Sequence, residues 1–485
     1  MRYVAASALA VCLTLTARAQ SPSIPDRTLG ARIDAVDAVV RQAMASKRIP
    51  GAAIAVVQDG TPLLRRAYGV ANLETGAPMT VDAVFEIASL TKQFTSAAIM
   101  LLVEEGRLRL DDLVSAYVGP VPASWQRITI RHLLTHTSGL DIAAVPRVDG
   151  IAPLRITRAR AFDFIAQQPM FTQTGRGGWY SDAGYVLLGM VVEKVSGRTY
   201  REFIAERVFA PLGMTDSSLL DKARVLPRRV STYALRNGEL QNWRRDWDYD
   251  VPSAFGIHST LGDLAAWDAS LRKAALLKRA TLDQIWTPGV LDNGLTARVY
   301  GYPYGFGWEL ADVRSRRTVG HGGASGTYLL RFLDEPLTVI VLTNLESEDR
   351  HPRALARAIA GAMRPEYQPP EALPPAPDPD AELSHVVQTV LVDLAARRVS
   401  PAMSDGYAAW YRDSAGAQAL MARQLTGASA VTYLAHDDLQ GRSLWGSEPL
   451  WRIVHYALDA GGRRYVISAG LTERRTVATL DVQVR

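Results

Sequence analysis

A proline-rich segment, RPEYQPPEALPPAPDPD at residues 364–380, limits what this chain can fold into more than any other feature. Seven of the fifteen residues from Pro365 to Pro379 are proline. Because proline fixes its own φ and has no N–H donor, the segment predicts a stiff, extended linker rather than part of a helix or sheet. The 485-residue chain is therefore expected to form a large domain at residues 20–363 and a small one at 381–485.

The first residues have the features of a secretory signal peptide. A basic residue near the start precedes an apolar run, and Ala17-Arg18-Ala19 places small residues at the two positions that signal peptidase recognises. We therefore expect residues 1–19 to be removed and the protein to be exported, either to the periplasm or out of the cell. Cys12, the only cysteine, would be lost with them, so the mature chain could not use disulfides. The residue before Cys12 is valine rather than a small residue, which argues against a lipid anchor.

The composition is that of an ordinary globular protein. Hydrophobic residues make up 48% of the chain and charged residues 21%, which is enough for a large core. The formal net charge of +5 is dispersed, without a long basic run, so nucleic acid is not an expected partner. Beyond the N-terminus, no apolar run approaches the roughly 20 residues that span a bilayer. A soluble protein without a transmembrane span is the expectation.

The large region has strand patterns at both ends and helical patterns between them. Asp59-Gly60 separates two of the strand patterns, as in a β-hairpin. The predicted strands are 52–57, 63–68, 327–333 and 337–344. The main predicted helices are 89–105 and 185–197. This order predicts an antiparallel sheet whose first and last segments pair, flanked by helices and joined to a helical subdomain.

The segment after the proline-rich stretch predicts a small α+β module. Residues 381–398 place apolar side chains at helical spacing, and a shorter helix is predicted near 415–425. The predicted strands are 428–436, 450–458, 463–471 and, as a possible fourth, 476–484. Two helices and four strands suit a cone-shaped α+β fold. Nothing in this module forms an evident chemical constellation.

Ser89 and Lys92 stand three residues apart at the start of a helical pattern. Residues at this spacing are neighbours on a helix, so the ammonium could reach the hydroxyl and help to activate it as a nucleophile. The alternative is an N-cap serine followed by a solvated lysine. The pattern after Lys92 is apolar nearly all round, which indicates a buried helix in which the charge of Lys92 needs a partner.

Two further segments carry side chains suited to catalysis. Tyr180 and Asp182 lie just before a predicted helix, where Asp182 could serve as the N-cap, as a site residue, or as both. His321 is followed by Gly322 and Gly323 just before a predicted strand, so a substrate could approach the backbone closely. The glycine-rich stretch 175–178 lacks the lysine of a phosphate-binding loop and is interpreted as the loop that delivers Tyr180.

His132 and His136 are a weaker candidate pair. Their spacing of four could place two metal ligands on one helix face. Neither a glutamate after His132 nor a third ligand is evident, so a structural role is the favoured interpretation and no metal is predicted.

These three catalytic segments together resemble the serine β-lactamase and penicillin-binding protein superfamily, in its class C β-lactamase, D-alanyl carboxypeptidase and esterase branch. Further landmarks follow in the order that this family shows, over roughly residues 31–362. They are RHLLTHTSGL, YVLLGMVVEKVSG, FAPLGM, GIHSTLGDLAAW and YGFGWEL. The resemblance implies an α/β fold of the β-lactamase/transpeptidase type.

The resemblance also implies residue roles. Ser89 would be the acylated nucleophile, Lys92 its proton-transfer partner, and Tyr180 the residue that shuttles protons to the leaving group and activates water. His321, Gly322 and Gly323 would occupy the third motif beside the substrate. The backbone N–H groups of Ser89 and Ala324 would form the oxyanion hole. No metal or organic cofactor is implied.

Two positions depart from the family pattern. The second motif usually has asparagine where this chain has Asp182, and an ionised carboxylate cannot donate to a substrate carbonyl. A carboxylate near Lys92 would hold that amine protonated, so the sequence predicts Tyr180 as the general base, with Lys92 lowering its pKa. His321 replaces the lysine typical of β-lactamases, and a neutral imidazole captures a carboxylate less strongly.

The sequence therefore predicts an exported serine hydrolase that forms an acyl-enzyme on Ser89. Small esters and amide or D-peptide substrates rank above β-lactams. The alternative is a penicillin-binding or sensing protein with little or no turnover. The oligomeric state is left open.

Overall fold

The computed structural model of the protein describes residues 28–142, 154–221, 223–243, 247–347, 350–413 and 415–484. The predicted signal peptide at residues 1–19 lies outside these ranges. Within them, no helix has the length and apolar character needed to cross a membrane.

A seven-stranded antiparallel sheet forms the centre of the large region. Its strands are β1 (Gly51–Gln58), β2 (Thr61–Asn72), β3 (Ala77–Pro78), β4 (Glu309–Val313), β5 (Arg316–Gly323), β6 (Thr327–Phe332) and β7 (Leu337–Thr343). They follow the order β4-β5-β6-β7-β1-β2-β3. Ala52 of β1 pairs with Thr343 of β7. The predicted pairing of the first and last segments is therefore confirmed.

Helices cover both faces of this sheet, which is why β1 is an unbroken run of small and branched apolar residues. Alternate side chains of β1 enter two different cores. Ile54 packs with α1 (Leu29–Lys47) and α5 (His351–Met363) on one face. Ala53 faces the helical subdomain on the other. A strand buried on both faces cannot show the alternating pattern of a half-exposed strand.

The helical subdomain lies between β3 and β4 in the chain. Its longer helices are α2 (Thr91–Glu104), α3 (Asp182–Ser196) and α4 (Leu261–Lys273). Shorter helices span Ser115–Val118, Ile130–Leu134, Arg158–Gln167, Tyr200–Ile204, Ala210–Leu212 and Arg279–Ile285. All residues of α2 from Thr91 to Leu102 are buried, as predicted from the pattern after Lys92, which is apolar nearly all round.

The N-cap of α3 differs from the sequence expectation. Ser181, not Asp182, caps this helix, because the Ser181 hydroxyl accepts a hydrogen bond from Gly184 N at 3.1 Å. Asp182 is the first helical residue, so its carboxylate is available for other contacts. The helix ends at Gly197, which has a φ of 75°.

The C-terminal module contains one more helix than the sequence predicted. Its helices are α6 (Ala381–Ala395), α7 (Asp405–Asp413) and α8 (Ala415–Leu425), and its sheet consists of β8 (Thr432–Arg442), β9 (Leu450–Ala460), β10 (Arg463–Leu471) and β11 (Val477–Val484). The strands are antiparallel and in chain order. Helix α7, with the sequence DGYAAWYRD, had no predicted counterpart, although Tyr407 and Tyr411 stand four residues apart, at helical spacing, and are both buried.

The proline-rich segment is packed rather than freely extended. It contains two short 3₁₀ turns, Pro365–Tyr367 and Pro370–Ala372. Tyr367 stacks on Phe332 of β6, with 4.7 Å between ring centroids. Ala376 N donates to Tyr433 O of β8 at 3.0 Å. The segment therefore contacts the structure on both sides, which its proline content alone did not reveal.

The C-terminal module covers β4, which is an edge strand of the large sheet. Trp445 Nε1 donates to Ala311 O of β4 at 2.7 Å. The Arg314 guanidinium, in the turn after β4, lies 3.0 Å from both oxygens of Asp437. Asp437 Oδ2 also lies 2.9 Å from Nε2 of His455. Covering an edge removes a row of unpaired backbone groups that would otherwise invite association.

We expect Asp437→Ala to lower the free energy of unfolding by about 3 kcal/mol, because it leaves the half-buried Arg314 cation without its carboxylate. Urea denaturation would measure the loss. Asp438→Ala is the matched control, since Asp438 is 49% exposed and its ion pair with Arg452 is worth at most about 1 kcal/mol. Equal losses in the two variants would contradict a stabilising role for the Arg314–Asp437 contact.

Candidate active site

Ser89 is presented by a strained turn at the start of α2. It lies on a short 3₁₀ turn, Ala88–Leu90, that follows the two-residue strand Phe85–Glu86. Ala88 has a φ of 47°, in the left-handed region that residues with a side chain seldom adopt. The hydroxyl of Ser89 stays partly accessible between buried neighbours. Strain of this kind clusters at functional sites, where the surrounding structure holds it in place.

Lys92 is fully buried, and its ammonium group contacts polar atoms of several segments. Its Nζ lies 3.2 Å from Ser89 Oγ, 2.6 Å from Asp182 Oδ1 and 2.8 Å from Ala254 O. The interpretation of Lys92 as a solvated lysine is therefore excluded. The ion pair with Asp182 supplies the opposite charge that a buried ammonium requires. The side chains of Ser89, Lys92 and Asp182 thus come together as the sequence predicted.

Tyr180 joins this group from the loop before α3. Lys92 Nζ lies 4.7 Å from the centroid of its ring, and the Ser89 side chain is near enough to lower the pKa of the phenol. Burial, and then the negative charge of Asp182, raise the pKa of Tyr180 well above its ordinary value. The sequence predicted that Lys92 would lower the pKa of Tyr180, whereas the pKa in the resting site is raised. A neutral phenol is a proton donor rather than a base.

His321 is buried and neutral. Its Nδ1 faces Gly322 O at 2.8 Å and must therefore carry the proton, which leaves Nε2 to accept from the Tyr304 hydroxyl at 2.8 Å. Burial lowers the pKa of His321 to about 4. Both ring nitrogens are thus occupied within the protein. The imidazole is not poised as a cation for a substrate carboxylate, in line with the weaker capture expected from the sequence.

The glycine-rich end of β5 lies directly against the segment before the nucleophile. A Cβ at Gly323 would come within 2.3 Å of Ile87 O, so only glycine allows this approach. The Ser325 hydroxyl donates to Glu86 O, and the Thr327 hydroxyl donates to Ile87 O at 3.1 Å. Ala324, between these contacts, is exposed. This docking suits an oxyanion hole built from the N–H groups of Ser89 and Ala324, which stays a prediction.

His136 holds the Tyr180 segment from both sides, a role that sequence reasoning missed. Its backbone oxygen accepts from Trp179 N at 2.8 Å, and its Nδ1 accepts from Ser181 N at 3.2 Å. Its ring lies 4.5 Å from the ring of Tyr180. The helix that contains His132 ends at Leu134, so the two histidines do not share a helix face. No local signal identified this contact, because it joins residues 45 positions apart.

Tyr304 is the second residue that sequence reasoning missed. It opens the landmark YGFGWEL, which was used only to recognise the family. The structure shows that this segment packs against the catalytic helix, because a Cβ at Gly307 would come within 2.6 Å of Lys92 O. Tyr304 is completely buried and orients His321 through its hydroxyl. Within the described residues, no group of three or more histidine, cysteine, aspartate or glutamate side chains could hold a metal ion.

Comparison with known proteins identifies the family. The family model described as Beta-lactamase matches residues 36–363, which is more than half of the chain. The chain belongs to the Beta-lactamase family. The β-lactamase-type fold expected from the sequence, with a separate sheet-rich C-terminal region, is thereby confirmed. The family is one of serine hydrolases, which agrees with the geometry around Ser89.

Two curated relatives illustrate the range of this Beta-lactamase family. Penicillin-binding protein 4* of Bacillus subtilis is 29% identical over 325 residues, which are 63% of this chain and 70% of the relative. A D-aminopeptidase of Brucella anthropi is 30% identical over 320 residues, or 64% of this chain and 59% of the relative. The chain thus matches less than two thirds of the length of the D-aminopeptidase.

Two solved structures share the fold. EstCE1, described as a hydrolase with promiscuous acyltransferase activity, aligns over 69% of this chain and 98% of its own, with a TM-score of 0.61 and 24% identity. The octameric penicillin-binding protein homologue from Pyrococcus abyssi covers 93% of this chain and 98% of its own, with a TM-score of 0.61 and 21% identity. At these identities, the likeness supports the fold alone.

The lowered pKa of His321 predicts a pH-dependent stability. Between pH 6.5 and 4 the unfolded chain binds a proton on this imidazole and the folded chain does not, so acidification favours unfolding. We expect the wild type to lose about 3 kcal/mol through this group over that interval, and His321→Asn to lose that much less. Urea denaturation at pH 7 and pH 4 would measure both. The control is His385→Asn on the exposed face of α6, which should behave as wild type; identical pH dependence in His321→Asn would contradict the assignment.

Proposed function

We propose that this protein is a serine hydrolase that forms an acyl-enzyme on Ser89. The observation that carries the proposal is the 3.2 Å contact between Ser89 Oγ and the buried Nζ of Lys92, itself paired with Asp182. A serine hydroxyl becomes a useful nucleophile only beside a group that accepts or relays its proton. Export through the signal peptide at residues 1–19 is part of the proposal and stays a prediction.

We infer that the substrates are small esters and D-amino-acid amides or peptides before β-lactams. His321 offers no cationic group for a substrate carboxylate, because it is neutral and both ring nitrogens are engaged. The similarity to a D-aminopeptidase supports the place of D-amino-acid amides and peptides in this order.

The arrangement suggests how the proton of Ser89 is handled. As Ser89 Oγ bonds to the substrate carbonyl carbon, its proton passes to Lys92 Nζ while Lys92 gives a proton to Asp182 Oδ1. The carbonyl electrons move onto the oxygen, which the N–H groups of Ser89 and Ala324 would stabilise. Tyr180, protonated in the resting site, then donates its proton as the bond to the leaving group breaks, and regains one from Asp182 through Lys92. In the second half of the reaction, water attacks the acyl carbon and gives a proton through Tyr180 and Lys92 to Asp182. The bond to Ser89 Oγ then breaks, Ser89 regains its proton from Asp182 through Lys92, and the acid is released.

Fluorescent fluorophosphonate and penicillin probes test the nucleophile. We expect the wild type to be labelled and Ser89→Ala to remain unlabelled, because the probes need the serine oxygen. Gel fluorescence after denaturation would measure the covalent label. If neither probe labels the wild type, the hydrolase proposal fails. A penicillin label that lasts for hours, without ester turnover, would instead favour the slow penicillin-binding or sensing protein, the alternative that the departure at Asp182 supports.

The variant Asp182→Asn tests whether Asp182 accepts the proton of the proposed relay, because it restores the asparagine that is usual at this position in the family. If Asp182 accepts the proton, we expect kcat for a nitrophenyl ester to fall by about 10²–10⁴-fold. Asp141→Asn is the matched control, since the carboxylate of Asp141 accepts from Ile142 N and the change leaves Lys92 paired. Activity retained in Asp182→Asn would contradict the relay and return the role of base to Tyr180 or Lys92.

A further inference from the structure

Tyr300 occupies a backbone position that normally belongs to asparagine, aspartate or glycine. It is the first of two residues that join the short strands Arg298–Val299 and Tyr302–Pro303. Tyr300 has a φ of 52° and Gly301 a φ of 86°, and positive φ at both central residues is the requirement of a type I′ hairpin turn. A bulky aromatic residue with positive φ is an outlier.

Two other hairpins of the same chain hold aspartate or asparagine at this position, whereas the β4–β5 turn holds Arg314 there, with a φ of 50°. The β1–β2 turn uses Asp59-Gly60, and the hairpin of Tyr233–Arg236 with Glu239–Asn242 uses Asn237-Gly238. Their first central residues have φ values of 50° and 52°, nearly that of Tyr300. Tyrosine at position 300 therefore costs stability that asparagine would not. Strain that persists in a fold is a reason to look for a function.

The surroundings of Tyr300 connect it to the candidate active site. The centroid of its ring lies 5.4 Å from that of Tyr180, while 54% of its surface remains exposed. A Cβ at Gly178 would come within 2.3 Å of Arg298 O, so the hairpin presses against the loop that delivers Tyr180. The Arg350 guanidinium lies 4.8 Å from the Tyr300 ring and supports it by a cation–π contact.

A second pair of exposed aromatic rings adjoins the same loop. Trp179, the neighbour of Tyr180, stacks on Phe171 with 3.5 Å between ring centroids and 15° between ring planes. Trp179 is 36% exposed and Phe171 51% exposed. Soluble proteins seldom leave several aromatic rings in water beside one another unless they contact a ligand or partner. Ligand sites are lined mainly by hydrophobic and aromatic side chains.

We propose that Tyr300, whose ring lies beside that of Tyr180, forms a subsite for an aromatic or bulky apolar group of the substrate. The proposal rests on the hydrolase function proposed above, and it names the class of substrate that the site selects. The Tyr300 ring lies 5.4 Å from that of Tyr180, so an apolar group attached close to the scissile bond would reach it.

Two nitrophenyl esters with the same leaving group, the acetate and the phenylacetate, test the subsite. We expect the wild type to prefer the phenylacetate in kcat/KM, and Tyr300→Asn to reduce this preference about 10-fold, chiefly through a higher KM, because it removes the aromatic contact. Tyr300→Phe should keep the preference. Tyr300→Asn should also raise the midpoint of thermal unfolding by about 1–3 °C, since asparagine suits the turn.

The hairpin with the Asn237-Gly238 turn supplies a matched control. Asn237→Tyr places the same strained residue in the exposed turn of another hairpin, so it should lower the thermal midpoint and leave the ester preference unchanged. Inactivation by phenylmethanesulfonyl fluoride relative to methanesulfonyl fluoride gives a readout that needs no turnover. This ratio should fall in Tyr300→Asn by a factor similar to that for the esters.

The outcomes separate the subsite from the underlying function. If wild type hydrolyses both esters without preference, or Tyr300→Asn keeps the preference or loses activity equally on both, the subsite is overturned while the hydrolase stands. A lower thermal midpoint in Tyr300→Asn would overturn the argument from strain. If wild type shows neither ester hydrolysis nor Ser89-dependent reaction with the sulfonyl fluorides, the proposed function and the subsite both fail.

Discussion

The buried charge of Lys92 is the constraint on which the rest of the site depends. An ammonium removed from water must be paired and hydrogen-bonded, and its partners come from three segments far apart in the chain: Ser89, Asp182 and Ala254. The start of α2, the start of α3 and the loop before α4 must therefore meet at one point. Leaving such a cation unpaired typically costs about 3–5 kcal/mol, so the contact that serves the chemistry also fixes the helical subdomain.

The environment of Lys92 sets the protonation states around it. Burial raises the pKa of Tyr180 and lowers that of His321, so both are neutral, and the Lys92–Asp182 pair holds the charge beside the nucleophile. A neutral histidine can hold a fixed hydrogen bond to Tyr304, whereas a lysine in its place would add a second cation near Lys92. The replacement at His321 and the carboxylate at Asp182 are thus parts of one electrostatic arrangement.

Local patterns made much of this structure predictable. The strands β1 and β7 are short apolar runs bounded by turn residues, and Ser89 and Lys92 lie within one helical turn, so their relation needs no knowledge of distant segments. The direction of the pKa shift of Tyr180 depends on burial by residues elsewhere in the chain. The hydrogen bond from Ser181 N to His136 Nδ1 joins two loops that are 45 positions apart. Long-range packing decided these features, and spacing does not encode it.

The hairpin that carries Tyr300 lies between the candidate site and the C-terminal module, which follows the proline-rich segment in the chain. One end of the hairpin reaches Tyr180, whereas Arg298 and Tyr302 line a cavity that His455 of β9 also lines. The module that contributes β9 is held to the large sheet through Asp437. The hairpin beside Tyr180 therefore shares this cavity with the C-terminal module. Because packed elements shift together rather than deform continuously, the position of the hairpin depends on how the module packs against the large sheet.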